Sequence, residues 1–313
     1  QAEDGIRDVE RSRGLGDVYK RQVLRLTGKG REKTLGCTLA FTSAICYGSL
    51  PVIAKLGYQF GLKTFEMLFY RFLIATPLFL AHLLVVKRGL GTEKKEIVNL
   101  FLVGVVGYSL GPLCFFKALE NLSASVTELI FYTYPAMVIV LARVFLGEKP
   151  GLLRLSSLTA VITGCIFITG VFKGRLTINF TGLVFALLSA LAISLFDVLS
   201  QLMLKRADPL TLGFFSSLAA LTVFTPLSGA PPPPEGVKAV IVVLLAIFPS
   251  YLALTTCLQG IKRIGASRTS LISTFEPVAA ILLAHLILGE VLTVEQLTGA
   301  ILILIGVILA TIG

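Results

Sequence analysis

The stretch GASRTSLISTFEPVAAILLAHLILGE, residues 265–290, decides the fold. It is long and apolar enough to cross a hydrocarbon core about 30 Å thick, which needs about 20 residues of helix. Yet it carries Glu276 and Pro277 near its middle and stops at Gly289 and Glu290. The chain writes the same segment once before, 142 positions earlier, as SASVTELIFYTYPAMVIVLARVFLGE, residues 123–148. Laid together without a gap, the copies agree at 12 of 26 positions, among them Ala124/Ala266, Thr127/Thr269, Pro135/Pro277 and the shared Leu-Gly-Glu ending. A duplicated membrane segment with a proline and polar groups at bilayer depth predicts two homologous halves meeting around a polar interior.

Composition places the whole chain in a membrane. Of 313 residues, 55% are hydrophobic and 15% charged, with mean hydropathy +0.87, outside the range of ordinary soluble domains. The net charge of +10 resides in short loops between apolar runs, where Lys and Arg set membrane orientation. There is no basic face or stacking platform, which argues against nucleic acid. The five cysteines lie in apolar runs without CxxC spacing and read as packing residues. With no HExxH motif and no phosphate loop, neither metal nor cofactor is expected.

About ten spans follow from bilayer length: 35–55, 64–86, 97–118, 123–146, 155–172, 181–204, 209–227, 237–258, 266–288 and 297–312. They divide into a first repeat, 35–172, and a second, 181–313. Residues 1–22 differ from the rest, being dense in charge and poor in apolar side chains. They are expected to be non-native, resembling translated sequencing-adapter read-through, or else a disordered or helical tail. With the N-terminus inside, alternate loops hold eleven basic residues on the cytoplasmic side against six outside, counting Lys55. Both termini are therefore expected in the cytoplasm. Five spans per repeat make the second repeat enter from the opposite side, so the repeats are inverted.

The stretches RFLIATPLFL from Arg71, the paired Leu-Gly-Glu endings, EPVAAILLAHLILGE from Glu276 and the closing LTGAILILIGVILA resemble the EamA branch of the drug/metabolite transporter superfamily. The resemblance covers 35–313. It implies an all-α integral membrane protein of ten helices, two inverted five-helix repeats around a central cavity, with spans five and ten at the periphery. It implies a secondary-active or facilitative carrier in the cytoplasmic membrane, most simply an exporter of a small amphipathic metabolite, amino acid or drug, with protons as candidate coupling ions. Uptake or exchange of phosphorylated or nucleotide-linked sugars is the alternative within transport, and a membrane-embedded enzyme acting on lipid the alternative outside it. No nucleophile and base share one depth, so no catalytic residue is assigned.

Candidate cavity residues follow from polarity at bilayer depth, which is costly without a partner or a use. Glu276 reads either as a proton- or substrate-binding group or as a carboxyl bonding backbone opened by Pro277. Asp197 shares a helical face with Ser194 and Gln201, at i−3 and i+4, which suits a wet cavity or interhelical hydrogen bonds. Arg71 is about seven residues into span two. It fits contact with an anionic solute, as the resemblance implies, or an ion pair with Glu66 or Glu128. Tyr132 and Tyr134 of span four, with Ser273 and Thr274 of span nine, supply aromatic and hydroxyl groups suited to amphipathic solutes, or else plain packing. Pro135 and Pro277 are candidate bending points or fixed kinks. Gly164 and Gly306 predict close packing of spans five and ten, each on its own half. Lys55 and Lys117 read as interfacial anchors. The chemistry is expected where the copies differ, at Glu276 against Tyr134 and at Ser270 against Glu128.

Overall fold

The computed structural model describes residues 30–86, 95–122, 126–168, 179–229, 231–289 and 291–312. The tail 1–22 and the second Leu-Gly-Glu glutamate, Glu290, lie outside the described residues. The helices, in chain order, are α1 Gly30–Gln59, α2 Thr64–Val85, α3 Lys95–Leu119, α4 Val126–Leu146, α5 Leu152–Ile168, α6 Phe180–Met203, α7 Pro209–Ser228, α8 Val237–Ile264, α9 Ala266–Leu288 and α10 Val294–Ile312. All but α5 are long and apolar enough to cross a membrane; α5 has 17 residues.

Local chemistry sets these bounds. Asn179 and Asp208 cap α6 and α7, their side-chain oxygens accepting from the Thr181 N–H at 2.8 Å and the Leu210 N–H at 3.0 Å. Pro209 follows Asp208 at the first turn of α7, where a missing N–H costs nothing. At the other end, α4 and α9 both stop at a glycine with φ +69°, Gly147 and Gly289, the left-handed cap that a Cβ disfavours. The repeated Leu-Gly-Glu ending is thus a helix stop written twice.

Four helices are interrupted, in two equivalent pairs. α3 contains a π-helical segment at Gly104–Ser109 and α8 one at Ile247–Leu252. Each is closed by a serine donating to the carbonyl five residues back, Ser109 to Gly104 at 3.1 Å and Ser250 to Leu245 at 2.8 Å. α4 breaks between Phe131 and Tyr134, and α9 between Ser273 and Glu276, just before Pro135 and Pro277. Proline donates no hydrogen bond and its ring collides with the preceding turn. Thr133 and Thr274 bond the carbonyls of Ile130 and Leu271 around the breaks.

The two repeats interlock, so the core is the seam between them. α1 packs on α8 and α9 while its counterpart α6 packs on α3 and α4, and α2 lies against α7. α5 and α10 do not pack mainly each on its own half, although α10 also touches α9. They pack on each other, because glycines on both remove the side chains that would hold them apart. A Cβ at Gly164 would come within 2.7 Å of the Gly299 carbonyl oxygen, and one at Gly299 within 2.5 Å of that of Gly164. Ser157 adds a 2.7 Å bond to the Gly306 carbonyl. The opposite face of α10 exposes Ile301, Ile305 and Ile308, as a lipid-facing surface requires.

Candidate functional site

The seam encloses a cavity of about 530 Å³ lined by helices of both repeats. Three helices present it with stripes at helical spacing: Tyr47, Pro51, Lys55 and Tyr58 from α1, Thr64, Leu68 and Arg71 from α2, and Tyr108, Pro112, Phe115 and Leu119 from α3. Tyr58, Thr64 and Leu119 mark the open end, beside the α1–α2 and α3–α4 turns. The cavity bottoms at the helix breaks, where Tyr132, Tyr134, Ser273, Glu276 and Pro277 project into it with Asp197 of α6.

Gly48 brings α1 onto the break in α9: a Cβ there would lie 2.7 Å from the Glu276 carbonyl oxygen. Glu276 is half-buried and Asp197 is buried, and among the described residues no ion pair holds either carboxyl. Arg71, only 5% exposed, makes no ion pair with Glu66 or Glu128. Glu66 instead accepts from the Lys63 backbone N–H at 3.1 Å, at the start of α2. The Arg71 guanidinium lies 4.6 Å from the Phe72 ring centroid and in electrostatic contact with the Tyr108 hydroxyl, and its Nε has no hydrogen-bond partner. Tyr134 closes the floor. Its hydroxyl donates to the Ser270 carbonyl of α9 at 3.3 Å, and its own carbonyl accepts from Ser194 of α6 at 3.0 Å.

Three candidates fall outside the cavity lining. Thr274 is fully buried with its hydroxyl turned back on its own helix. Pro135 is buried one residue beyond the lining Tyr134. Gln201 shares the helical face of Asp197, but one turn further along α6 it has left the cavity for the closed end. There its amide donates to Glu148 Oε1 at 3.0 Å and its carbonyl accepts the Ala266 N–H at the start of α9.

Two lining groups, Tyr47 and Tyr108, escaped the reading of the sequence, and two others, Lys55 and Glu128, were named there without a place in the cavity. The α1 stripe offered a signal, since Tyr47, Pro51 and Lys55 recur every four residues. Lys55 was read as an interfacial anchor because it is near a helix end, but its stem lies on the stripe that faces inward. Glu128 is one turn before Tyr132 on the same face of α4, opposite Ser270 in the repeat. Among the described residues no three His, Cys, Asp or Glu side chains come within metal-ligand range of each other. The carboxyls of Glu128, Asp197 and Glu276 therefore ring the cavity without converging on one ion.

A model of the EamA-like transporter family matches the chain twice, over residues 34–170 and 180–312. Among curated proteins, the chain is 29% identical over 287 residues to a Bacillus subtilis protein described as uncharacterized transporter YcbK, covering 87% of this chain and 91% of that one. It is 25% identical over 272 residues to an uncharacterized transporter of Archaeoglobus fulgidus, covering 86% and 93%. It is 24% identical over 224 residues to the uncharacterized inner membrane transporter YicL of Salmonella typhimurium, covering 70% and 75%. A solved crystal structure superposes with a TM-score of 0.76 over 88% of this chain and 96% of its own, at 20% identity, and speaks to the fold alone.

Proposed function

The chain belongs to the EamA-like transporter family, and we propose that it is a secondary-active or facilitative carrier exporting a small amphipathic solute, such as an amino acid, related metabolite or drug, by alternating access. The observation that carries this reading is a cavity between inverted repeats, open at one end, closed at the other, and lined by both signs of charge among aromatic rings. A volume of about 530 Å³ suits a small organic solute. Tyrosine and phenylalanine faces take its apolar part, Arg71 and Lys55 an anionic group, and Glu128, Asp197 or Glu276 a cationic one. No step of chemistry is assigned to these residues, and we read the protein as a carrier and not an enzyme.

In this reading the protein resides in the cytoplasmic membrane with both termini inside and the open end outward. Energy comes from the solute gradient or from exchange of protons at Glu276 or Asp197. An intramembrane carboxyl costs several kcal/mol when ionised without partners. A wet cavity relieves that cost in the open state, and closure around the group favours its neutral form, which couples protonation to conformation. Proteoliposomes loaded in turn with amino acids, nucleosides and cationic drugs test this. The expected result is efflux of one class, faster when the outside is acidic, with the stimulation lost in Glu276→Gln. Efflux indifferent to both the gradient and that substitution removes the proton-coupled version, and efflux of none of these classes removes the substrate reading.

One observation favours the phosphorylated-solute alternative: Lys55 joins Arg71 in the cavity, giving two cations where the sequence pointed to one. Three carboxyls around the same space oppose a dianionic phosphate, and zwitterionic or cationic solutes remain the better match.

A further inference from the structure

At the closed end, below the Tyr134 floor, four elements converge on one side chain. Gly147 stops α4 and turns the chain with φ +69°, and the next residue, Glu148, projects across the seam. Its carboxylate accepts from Gln201 of α6 at 3.0 Å, from the Ser267 hydroxyl of α9 at 2.9 Å and from Arg154 of α5 at 3.2 Å. Gln201 completes the ring by accepting the backbone N–H of Ala266, at the N-terminus of α9, where helix polarity favours an adjacent carboxylate. Arg268 adds a second positive charge in electrostatic reach of Glu148. The group is partly buried, with 25% of the Glu148 and 21% of the Arg154 side chain exposed.

Two features separate this cluster from an incidental surface ion pair. It joins α4 and α5 of the first repeat to α6 and α9 of the second, so it spans the seam that must part for the closed end to open. It also uses one acceptor for three donors, so losing Glu148 leaves all three unpaired at once. In the sequence, the offset of 142 that relates the repeats writes Gln59 for Gln201, Ser125 for Ser267 and Glu290 for Glu148.

We propose that Glu148, Gln201 and Ser267 are the lock that holds the closed end shut, and that Glu148 is its keystone. The proposal rests on the alternating-access reading for its role in a transport cycle. The lock itself is a statement about which conformation the protein populates. In that role the Leu-Gly-Glu ending does two things, since glycine stops the helix and glutamate ties the repeats together. The bonds hold the open-outward form until solute seated on the Tyr134 floor, which touches both α6 and α9, shifts the helices that carry the donors.

The test measures conformation without needing a substrate. In a cysteine-free background reconstituted in nanodiscs, spin labels at the exposed Lys149 and Arg206 report the closed end, and labels at Phe60 and Glu120 the open end. Glu148→Gln keeps the shape and removes the charge, and Gln201→Leu removes the bridge to Ala266. Ser267→Ala deletes a single bond, should the others fail to fold. The expected result is a longer closed-end distance whose population rises about tenfold over the unsubstituted protein, the effect of losing one charge-assisted hydrogen bond, with a matching shorter open-end distance. A lengthened closed end with an unmoved open end upholds the lock and overturns alternating access. Closed-end distances unchanged in every variant that folds overturn the lock.

Discussion

Arg71 shows at the residue scale how far a buried charge is explained by structure alone. It is almost fully buried, has a ring beneath it and a phenol beside it, yet no carboxylate pairs with it and its Nε is unsatisfied. A charge held this way is costly to folding: even a buried ion pair is often replaced by apolar residues at no loss of stability, and an unpaired charge has less attraction to give up. Arg71→Met is therefore expected to leave the melting temperature in detergent unchanged or raised, while cutting solute transport in proteoliposomes at least about tenfold. A melting temperature lowered as much as transport would mean that Arg71 serves the fold instead. Sequence position was enough to single out Arg71 as a charge at depth, because depth follows from counting residues along a helix. Its partner was not legible. Glu66 and Glu128 both lie toward the open end of their helices, but Glu66 turns to its own helix start and Glu128 to another part of the cavity wall. Such choices depend on side-chain direction, which spacing does not encode.

At the element scale the interruptions of α4 and α9 were readable, since a proline inside an apolar run leaves a carbonyl without its donor. The π-helical segments of α3 and α8 were not, because no proline or motif is required at both; Pro249 is within the second, and the first has none. The association of α5 with α10 lies between these cases. Gly164, Gly299 and Gly306 announced close approach, but small residues say how near a neighbour comes and not which neighbour it is. The inverted repeat settles it, since each large helix contact pairs one element from each half. Gly164→Val consequently places a branched side chain against the Gly299 carbonyl and the Ile303 backbone nitrogen, 2.7 Å and 2.9 Å from a Cβ. Backbone cannot yield as a side-chain tip does, and overpacking of this kind costs about 1–3 kcal/mol. The expected readout is a lower melting temperature and faster proteolysis. Melting unchanged from the parent would mean that α5 and α10 are free to separate, and that their contact contributes little to holding the halves together.

The whole molecule joins two properties that were legible separately, a duplicated sequence and an asymmetric charge distribution. Five helices per repeat invert the second copy, and inversion makes the two ends of the seam chemical relatives that need not be open together. Among the described residues, the end closed by Glu148 carries Lys95, Lys149, Arg154, Lys205, Arg206, Lys262, Arg263 and Arg268, whereas the open end carries Lys55, Lys63, Lys117 and Lys238. Positive loops resist translocation, so the closed end is expected in the cytoplasm and the open end outside. In a cysteine-free background, a membrane-impermeant maleimide added to intact cells should modify a cysteine at Phe60 and spare one at Lys149. Inverted membrane vesicles should show the opposite pattern. Both positions are exposed, so reaction reports sidedness and not burial. If the pattern is reversed, the same structure becomes inward-open, and the Glu148 cluster becomes an outer seal. Export by the proposed route would then begin from the state that already faces its substrate, with release, not loading, waiting on the lock.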